Sequence, residues 1–367
     1  MGNYYINTRG ESKLTDHLKS LIASANSYIK ICSFLMQDRD TVELLQEKSI
    51  KGEAAIFVLS NLRSSDYKKE EYLSSDEDYE SDELDKYNFD AHYELLQNLY
   101  KAGIHVRLLN DLHAKFIIVD GIGGLLMSAN ISPNSLSNNV ETGMSLSTQD
   151  IKSLEYIFDV MYCHADIQKY TDYKQKDIIV SNKSMVPEDA FKDLKGNIRL
   201  TACPFNNVMT NLSELQITTI YNEIISIIKN ANNFLYIVSW EFKDRRNILS
   251  EFRSEVKRAI ARGVEVSLFF NRKGPIGNLK AQDALVRRLI NVGCSAYTDE
   301  CNHSKCIISE KEGMLFTANI DGNIGLKSGF EVGCLFDSEQ LNAATQHIRS
   351  LIKFGQEYKG LEYGNNE

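Results

Sequence analysis

The longest apolar runs in the chain are strand-sized: Phe116 to Val119, and Gly263 to Phe270 with Glu265 inside it. Both fall far short of the roughly 20 residues that a bilayer requires. The pattern around them occurs twice. Ser20 to Phe34 (Ser-Leu-Ile-Ala-Ser-Ala-Asn-Ser-Tyr-Ile-Lys-Ile-Cys-Ser-Phe) lies over Ser226 to Trp240 (Ser-Ile-Ile-Lys-Asn-Ala-Asn-Asn-Phe-Leu-Tyr-Ile-Val-Ser-Trp) at an offset of 206, and each copy reads as a helix feeding a strand. Lys51-Gly52 and Arg262-Gly263 then read as helix C-terminal glycines before an apolar strand ending at Asn61 or Asn271. The first copy next carries about 20 extra residues by comparison of the two spacings, after which Gly103 and Gly293 each end a helix and the offset settles at 190.

The chemistry-bearing residues follow in the same order in both copies. The first reads His113-Ala-Lys115 with Asp120, then Met127-Ser128-Ala-Asn130, then Glu141-Thr-Gly143. The second reads His303-Ser-Lys305 with Glu310, then Phe316-Thr317-Ala-Asn319, then Glu331-Val-Gly333. A histidine and a lysine two positions apart in an extended segment project from the same face, so they share one site, and the apolar residues after them suit a buried strand.

At these residues the chain resembles the phospholipase D superfamily, whose signature of His-x-Lys-x4-Asp followed by Gly-Ser-x-Asn is present twice per active site. The chain departs from it where Met127 and Phe316 replace the glycine, Thr317 the serine and Glu310 the aspartate. The glycine changes are expected to narrow the turn beside the phosphate, and the Glu310 change to loosen its half.

The resemblance implies an α/β fold of two mixed sheets flanked by helices, related by a pseudo-twofold axis with the active site at their seam. It also implies phosphodiester cleavage through a covalent intermediate, with no cofactor and no metal. One neutral imidazole attacks phosphorus while the other protonates the leaving oxygen and later activates water. His113 is assigned to attack and His303 to acid and base duty by family analogy, the reverse remaining open. Lys115 and Lys305 supply positive charge, and Asn130, Asn319, Ser128 and Thr317 donate to the nonbridging oxygens. Glu141 and Glu331 hold each ring through its other nitrogen. Asp120 and Glu310 brace the structure.

Composition refines the substrate. With 43% apolar and 25% charged residues the chain is ordinary globular material. Seven cysteines, an odd number, and an N-terminus without an export signal point to the cytoplasm. The net charge of −9 comes almost entirely from Ser64 to Asp90, where eleven acidic residues face three lysines. Lys243 to Arg288 reverses the balance, with twelve Lys or Arg against five carboxylates, enough to attract a polyanion unless these are solvated, salt-bridged helix faces. A nuclease acting on DNA or RNA fits best, with bacterial defence as a setting implied by the family. A phospholipase or phosphatidyltransferase, which needs an apolar surface element, and a phosphate-binding module without turnover are the alternatives.

The halves are taken as 1–178 and 179–367, with a linker around Asp172 to Asn197 and an acidic insertion at 64–90 that covers a basic cleft, docks a protein partner or is simply a solvated loop. Zinc at Cys301 and Cys306 is disfavoured by Lys305 between them. His17, His92, His105, His164 and His347 lack patterned partners and read as surface or core. Gly121 to Gly124 reads as a hairpin turn. Trp240 and Phe34 occupy one place in the repeat, in the core or lining the cleft.

Overall fold

The computed structural model describes the chain except for Met1 and residues 62–88, 110–111, 166–183, 205–210, 245, 274–275, 323–324 and 361–367, together with the side chains of 89–90 and 276–278. The acidic segment 64–90 and the boundary at 178/179 lie outside the described residues, apart from the backbone of the last two positions of the former.

The first half contributes β1 (Tyr4–Asn7), α1 (Lys13–Ser24), β2 (Tyr28–Ser33), α2 (Arg39–Ile50), β3 (Ala55–Asn61), α3 (Phe89–Lys101), β4 (His105–Leu109), β5 (Phe116–Val119), β6 (Gly123–Met127), β7 (Glu141–Ser145) and α4 (Thr148–His164). The second contributes β8 (Ile198–Cys203), β9 (Ile217–Thr218), α5 (Thr219–Asn230), β10 (Phe234–Val238), β11 (Phe242–Lys243), α6 (Ser250–Ala261), β12 (Glu265–Phe270), α7 (Ile276–Ile290), β13 (Ser295–Thr298), β14 (Cys306–Ser309), β15 (Gly313–Phe316), β16 (Ile320–Asp321), β17 (Gly329–Leu335), α8 (Ser338–Phe354) and β18 (Gln356–Glu357).

The repeat in sequence is a repeat in topology. The first sheet runs β1-β7-β6-β5-β2-β3-β4, and the second runs β8-β17-β15-β14-β10-β12-β13 in the same sense, extended by β9 and β18 at its edges. In each, three parallel strands (β2-β3-β4, β10-β12-β13) join an antiparallel set, so both sheets are mixed. Strands β5 (Phe-Ile-Ile-Val) and β14 (Cys-Ile-Ile-Ser) are buried at every position, as strands covered on both faces must be. Gly52 and Gly263 sit at φ 68° and 90°, a conformation that a side chain strongly disfavours, and end α2 and α6 as their positions predicted.

Each sheet buries one face under its own helices: Leu14, Leu18, Ile22, Leu45 and Leu96 lie against the first, and Ile224, Ile228, Phe252 and Val286 against the second. A further cluster belongs to both halves, joining Phe116, Leu126, Leu154 and Phe158 to Leu200, Leu315, Phe330 and Val332. At the seam the chain makes two isolated bridges, Leu112 with Phe330 and Val140 with Asn302. These are the same contact seen from either half, since 112 and 302, and 140 and 330, are related by the offset of 190. The result is a pseudo-twofold duplicated α/β fold.

Candidate active site

The seam bridges determine how the site is wired. The His113 N–H donates to the Phe330 carbonyl at 3.0 Å, and the His303 N–H to the Val140 carbonyl at 2.9 Å. Each histidine is thereby held beside the residue that precedes the other half's glutamate. Its ring completes the crossing: His113 Nδ1 meets Glu331 Oε1 at 2.7 Å, and His303 Nδ1 meets Glu141 Oε1 at 2.7 Å. A carboxylate accepts only, so each Nδ1 carries the proton and each Nε2 is left with its lone pair. Sequence spacing supplied the two glutamates but not that each serves the opposite half.

Ser128 and Thr317 need correction. Both were expected to donate to substrate, yet Ser128 Oγ donates to Glu141 Oε2, Thr317 Oγ1 donates to Glu331 Oε2 at 2.5 Å, and each hydroxyl accepts a backbone N–H, of Thr142 or Val332, at 3.0 Å. All four atoms are buried, and these hydroxyls fix the second oxygen of each carboxylate rather than face a ligand. Threonine does this as well as serine, which accounts for that departure.

Lys115 and Lys305 are fully buried, and each ammonium donates to the carbonyl of its own motif histidine, at 2.8 Å for Lys305. Burial pushes Lys115 down to about 7, against the attraction of Glu331. Burial also lowers both imidazoles, aided by the two ammoniums and opposed by the paired glutamates. It raises the glutamates in turn, but His303 with Lys305 and His113 with Lys115 outweigh it, and both carboxyls lie below their ordinary range. With neutral rings the buried set is two lysines facing two carboxylates. An anion entering it would favour protonation of one imidazole.

Asn130 and Asn319 each present a buried side-chain oxygen with no hydrogen-bond partner. Since buried polar groups are nearly always satisfied, matching orphans at equivalent places in both halves mark positions where a ligand or water completes the bonding. Phe34 and Trp240 meet the histidines edge-on, with ring centroids at 5.2 Å from His113 and 6.0 Å from His303. Both readings of this pair thus hold in part: Phe34 is buried, and Trp240 is half-buried and lines a cleft.

Two further expectations are corrected. Met127 and Phe316 do not narrow the site; both are fully buried strand ends in the helix-covered cores, opposite Gly143 and Gly333 in register. Nor does Glu310 loosen its half. Asp120 accepts from the N–H groups of Asn26, Ser27 and Tyr28 at 2.8–2.9 Å, and Glu310 from those of Asn232, Asn233 and Phe234 at 2.9–3.5 Å, so both carboxylates close the same helix-to-strand turn.

A family model described as the phospholipase D-like domain of cardiolipin synthase matches residues 18–162. Residues 18–162 are thus similar to a phospholipase D-like domain. Two solved structures share the fold over both halves of the chain. A phosphatidylserine synthase from Haemophilus influenzae is 12% identical, with a TM-score of 0.65 over 97% of this chain and 88% of its own. A polyphosphate kinase from Porphyromonas gingivalis is 13% identical, with a TM-score of 0.55 over 96% of this chain and 50% of its own. Nuc, a phospholipase D family member from Salmonella typhimurium, is 16% identical, with a TM-score of 0.34 over 45% of this chain and 100% of its own. No curated protein sequence matches the chain. A phosphodiesterase-type function is what this likeness supports.

The remaining histidines have structural neighbours. His17 stacks on Tyr5, His105 on Phe57, and His347 lies against Tyr4. His92 does more: its Nδ1 accepts the Met36 N–H at 3.0 Å and its Nε2 lies 3.5 Å from the Asn61 carbonyl. Gln282 spans the equivalent Phe242 N–H and Asn271 carbonyl at 2.9 and 2.8 Å. Ninety-two and 282 differ by 190, so the imidazole and the amide are interchangeable bridges, a relation visible in the repeat once helices α3 and α7 are aligned. Part of the basic stretch is paired: Arg253 with Asp244, Arg258 with Glu255, Arg287 with Asp283 and Lys273 with Glu300. Among the described residues no helix is long and apolar enough to cross a membrane, and no cluster of His, Cys, Asp and Glu could hold a metal ion.

Proposed function

We propose that this chain is a metal-independent nuclease that cleaves DNA or RNA through a phosphohistidine on His113. The crossed histidine–glutamate pairs carry the chemical part of this reading. Glu331 fixes the His113 tautomer that leaves Nε2 nucleophilic, and burial keeps that ring neutral where a free imidazole is half protonated. Nε2 attacks phosphorus, forming the P–N bond as the P–O bond to the leaving oxygen breaks. His303, protonated once the anion is bound and steadied by Glu141, gives that oxygen its proton. It then takes a proton from the water that cleaves the P–N bond, and His113 is restored. Lys115, Lys305 and the amides of Asn130 and Asn319 meet the charge that builds on the nonbridging oxygens.

His113 is given the nucleophile's part because its side chain is 23% exposed, against 9% for His303, so it is the ring that substrate reaches more readily. Neither half builds a dyad alone, and we treat 1–178 and 179–367 as units that function only when docked. Polynucleotide is favoured as substrate by the excess of Lys and Arg between Lys243 and Arg288.

A second reading, phosphatidyl transfer between alcohols, has its own support in the cardiolipin synthase description of the family model and the fold shared with a phosphatidylserine synthase. It uses the same phosphohistidine with an alcohol in place of water. Labelled single- and double-stranded DNA, RNA and anionic phospholipid vesicles, each incubated with the protein in excess chelator, separate the two. Strand cleavage supports the nuclease; headgroup release or exchange with intact nucleic acid replaces it with the lipid enzyme.

A further inference from the structure

The two halves carry opposite charge on one row of the same helix. Helices α3 and α7 are equivalent through His92 and Gln282, and at that offset of 190 positions 280, 284 and 288 are Lys, Ala and Arg where 90, 94 and 98 are Asp, Glu and Asn. Residues four apart stand one above another on a helix, so each set forms a single row. Lys280, Ala284 and Arg288 are all exposed, and so is Glu94. Among the described residues no carboxylate pairs with Lys280 or Arg288. In sequence the acidic segment 64–90 runs straight into α3, which widens the contrast in charge between the two halves.

Topology sets the direction of the basic row. Strands β12 and β13 are parallel neighbours, so α7 between them must return to the opposite end of the sheet. The chain leaves β12 at the active site, where Asn271 Nδ2 donates to the Asn302 carbonyl at 3.1 Å, one residue before His303. Helix α7 therefore starts on the side of the site and leads away from it, with Arg288 about 12 Å beyond Lys280 along the axis. Lys273 stands at the near end, 3.1 Å from Glu300 with both side chains more than half exposed, a screened pair that exchanges readily for another anion. On the flank, Arg287 pairs with the buried Asp283, which also accepts from the Tyr358 hydroxyl at 2.7 Å. The exposed Arg272 sits 5.7 Å from the centre of the Tyr358 ring and adds a further cation to the same side.

We infer that Lys273 and the exposed row of α7, through Lys280 to Arg288, form a docking track for the phosphate backbone of a polynucleotide, an inference that rests on the nuclease reading above. Cations spaced along a rigid helix and free of carboxylate partners match a repeating anion better than a single one. Backbone contacts of this kind position a strand and add affinity, and they read no bases. The first half offers no counterpart, because Glu94 and the acidic residues before it repel the same backbone. A polyanion is steered toward the second half, and the strand leaves the seam over α7.

The test measures binding of a labelled oligonucleotide of mixed sequence across a series of salt concentrations, on full-length His113→Ala protein so that the strand stays intact. Adding Lys280→Gln with Arg288→Gln is expected to weaken binding about 10-fold or more at low salt and to lower the slope of log affinity against log salt by about 1.5. Lys280→Arg with Arg288→Lys should bind as the parent does. Lys101→Gln with Lys152→Gln removes two exposed cations from the first half and should leave the slope within about 0.3 of the parent. With His113 restored, the α7 double variant should cleave the oligonucleotide with a raised KM and an unchanged kcat. It should turn over bis(p-nitrophenyl) phosphate, too small to reach α7, within about twofold of the unaltered protein. An unchanged slope, or an equal loss in the first-half control, overturns the track and leaves the nuclease reading standing. Turnover of the small diester, or headgroup release from anionic vesicles, without any cleavage of nucleic acid overturns the nuclease reading and the track with it.

Discussion

The halves of the active site match in their innermost contacts and diverge just outside them. Both imidazoles meet a carboxylate of the opposite half at 2.7 Å, both carboxylates take a hydroxyl on their second oxygen, and both ammoniums return to the carbonyl of their own histidine. Yet His113 sits beside a buried Phe34 and is the more exposed ring, whereas His303 lies under Trp240. In the proposed mechanism the two identical imidazoles perform opposite proton chemistry, so the difference in role is assigned to these surroundings.

The strongest way to break this comparison is to remove each ring. His113→Ala and His303→Ala are both expected to reduce turnover by about 10⁴-fold or more, because each half performs a step the other cannot. Retained activity in either variant, measured on whichever diester proves to be the substrate, would show that the halves are not interdependent.

The crossing itself is sharpened by a double-mutant cycle. Glu331→Gln is expected to slow turnover about 10²-fold or more by releasing His113, and Glu141→Gln to do the same through His303. Adding Glu331→Gln to His113→Ala should cost almost nothing further. Coupling of His113 to Glu141 in place of Glu331 would contradict the wiring seen at the seam.

A smaller effect separates positioning from substrate contact. Ser128→Ala leaves Glu141 Oε2 buried without its donor, which is expected to cost about 1–3 kcal/mol in chemical unfolding and about tenfold in rate. Ser128→Thr, copying position 317, should restore both. Failure of threonine to rescue would mean that the serine has a duty its counterpart lacks.

The smallest effect is at His92→Gln, which copies Gln282 and should change neutral-pH stability by no more than about 1 kcal/mol. Burial pushes His92 down to about 4, so between about pH 6.5 and 4 the unfolded chain binds a proton that the folded one refuses. Stability therefore falls as pH drops through that window, by at most about 3 kcal/mol from this residue. The glutamine variant should lose correspondingly less, read from denaturant melts at pH 7 and 4.5. An unchanged acid dependence would mean that His92 is not the bridge described here.

Much of the fold was legible because duplication turns one ambiguous sequence into two aligned ones. Ser20–Phe34 and Ser226–Trp240 announced helix and strand together, and the doubled His-x-Lys, Asn and Glu spacing gathered the site residues before any coordinates. What spacing could not convey was partnership across the seam, since pairing His113 with Glu331 depends on the bridge from Leu112 to Phe330. Nor could it show that Ser128 and Thr317 face the glutamates, because a hydroxyl in a strand-end turn has several acceptors within reach. The departures at Met127, Phe316 and Glu310 looked consequential in a motif and proved benign in three dimensions: two fill the core, and the third reaches the same turn with a longer side chain.

The central claim is that the seam performs covalent catalysis with His113 as nucleophile and without a metal ion. Rapid acid-free quenching of a turnover reaction on ³²P-labelled substrate in excess chelator, followed by peptide mapping, tests it directly. Phosphate should be found on His113, absent from His113→Ala, and should accumulate when His303→Ala is combined with an activated aryl diester that needs no acid to leave. Turnover that requires a divalent ion, or phosphate carried by His303 alone, would contradict the account.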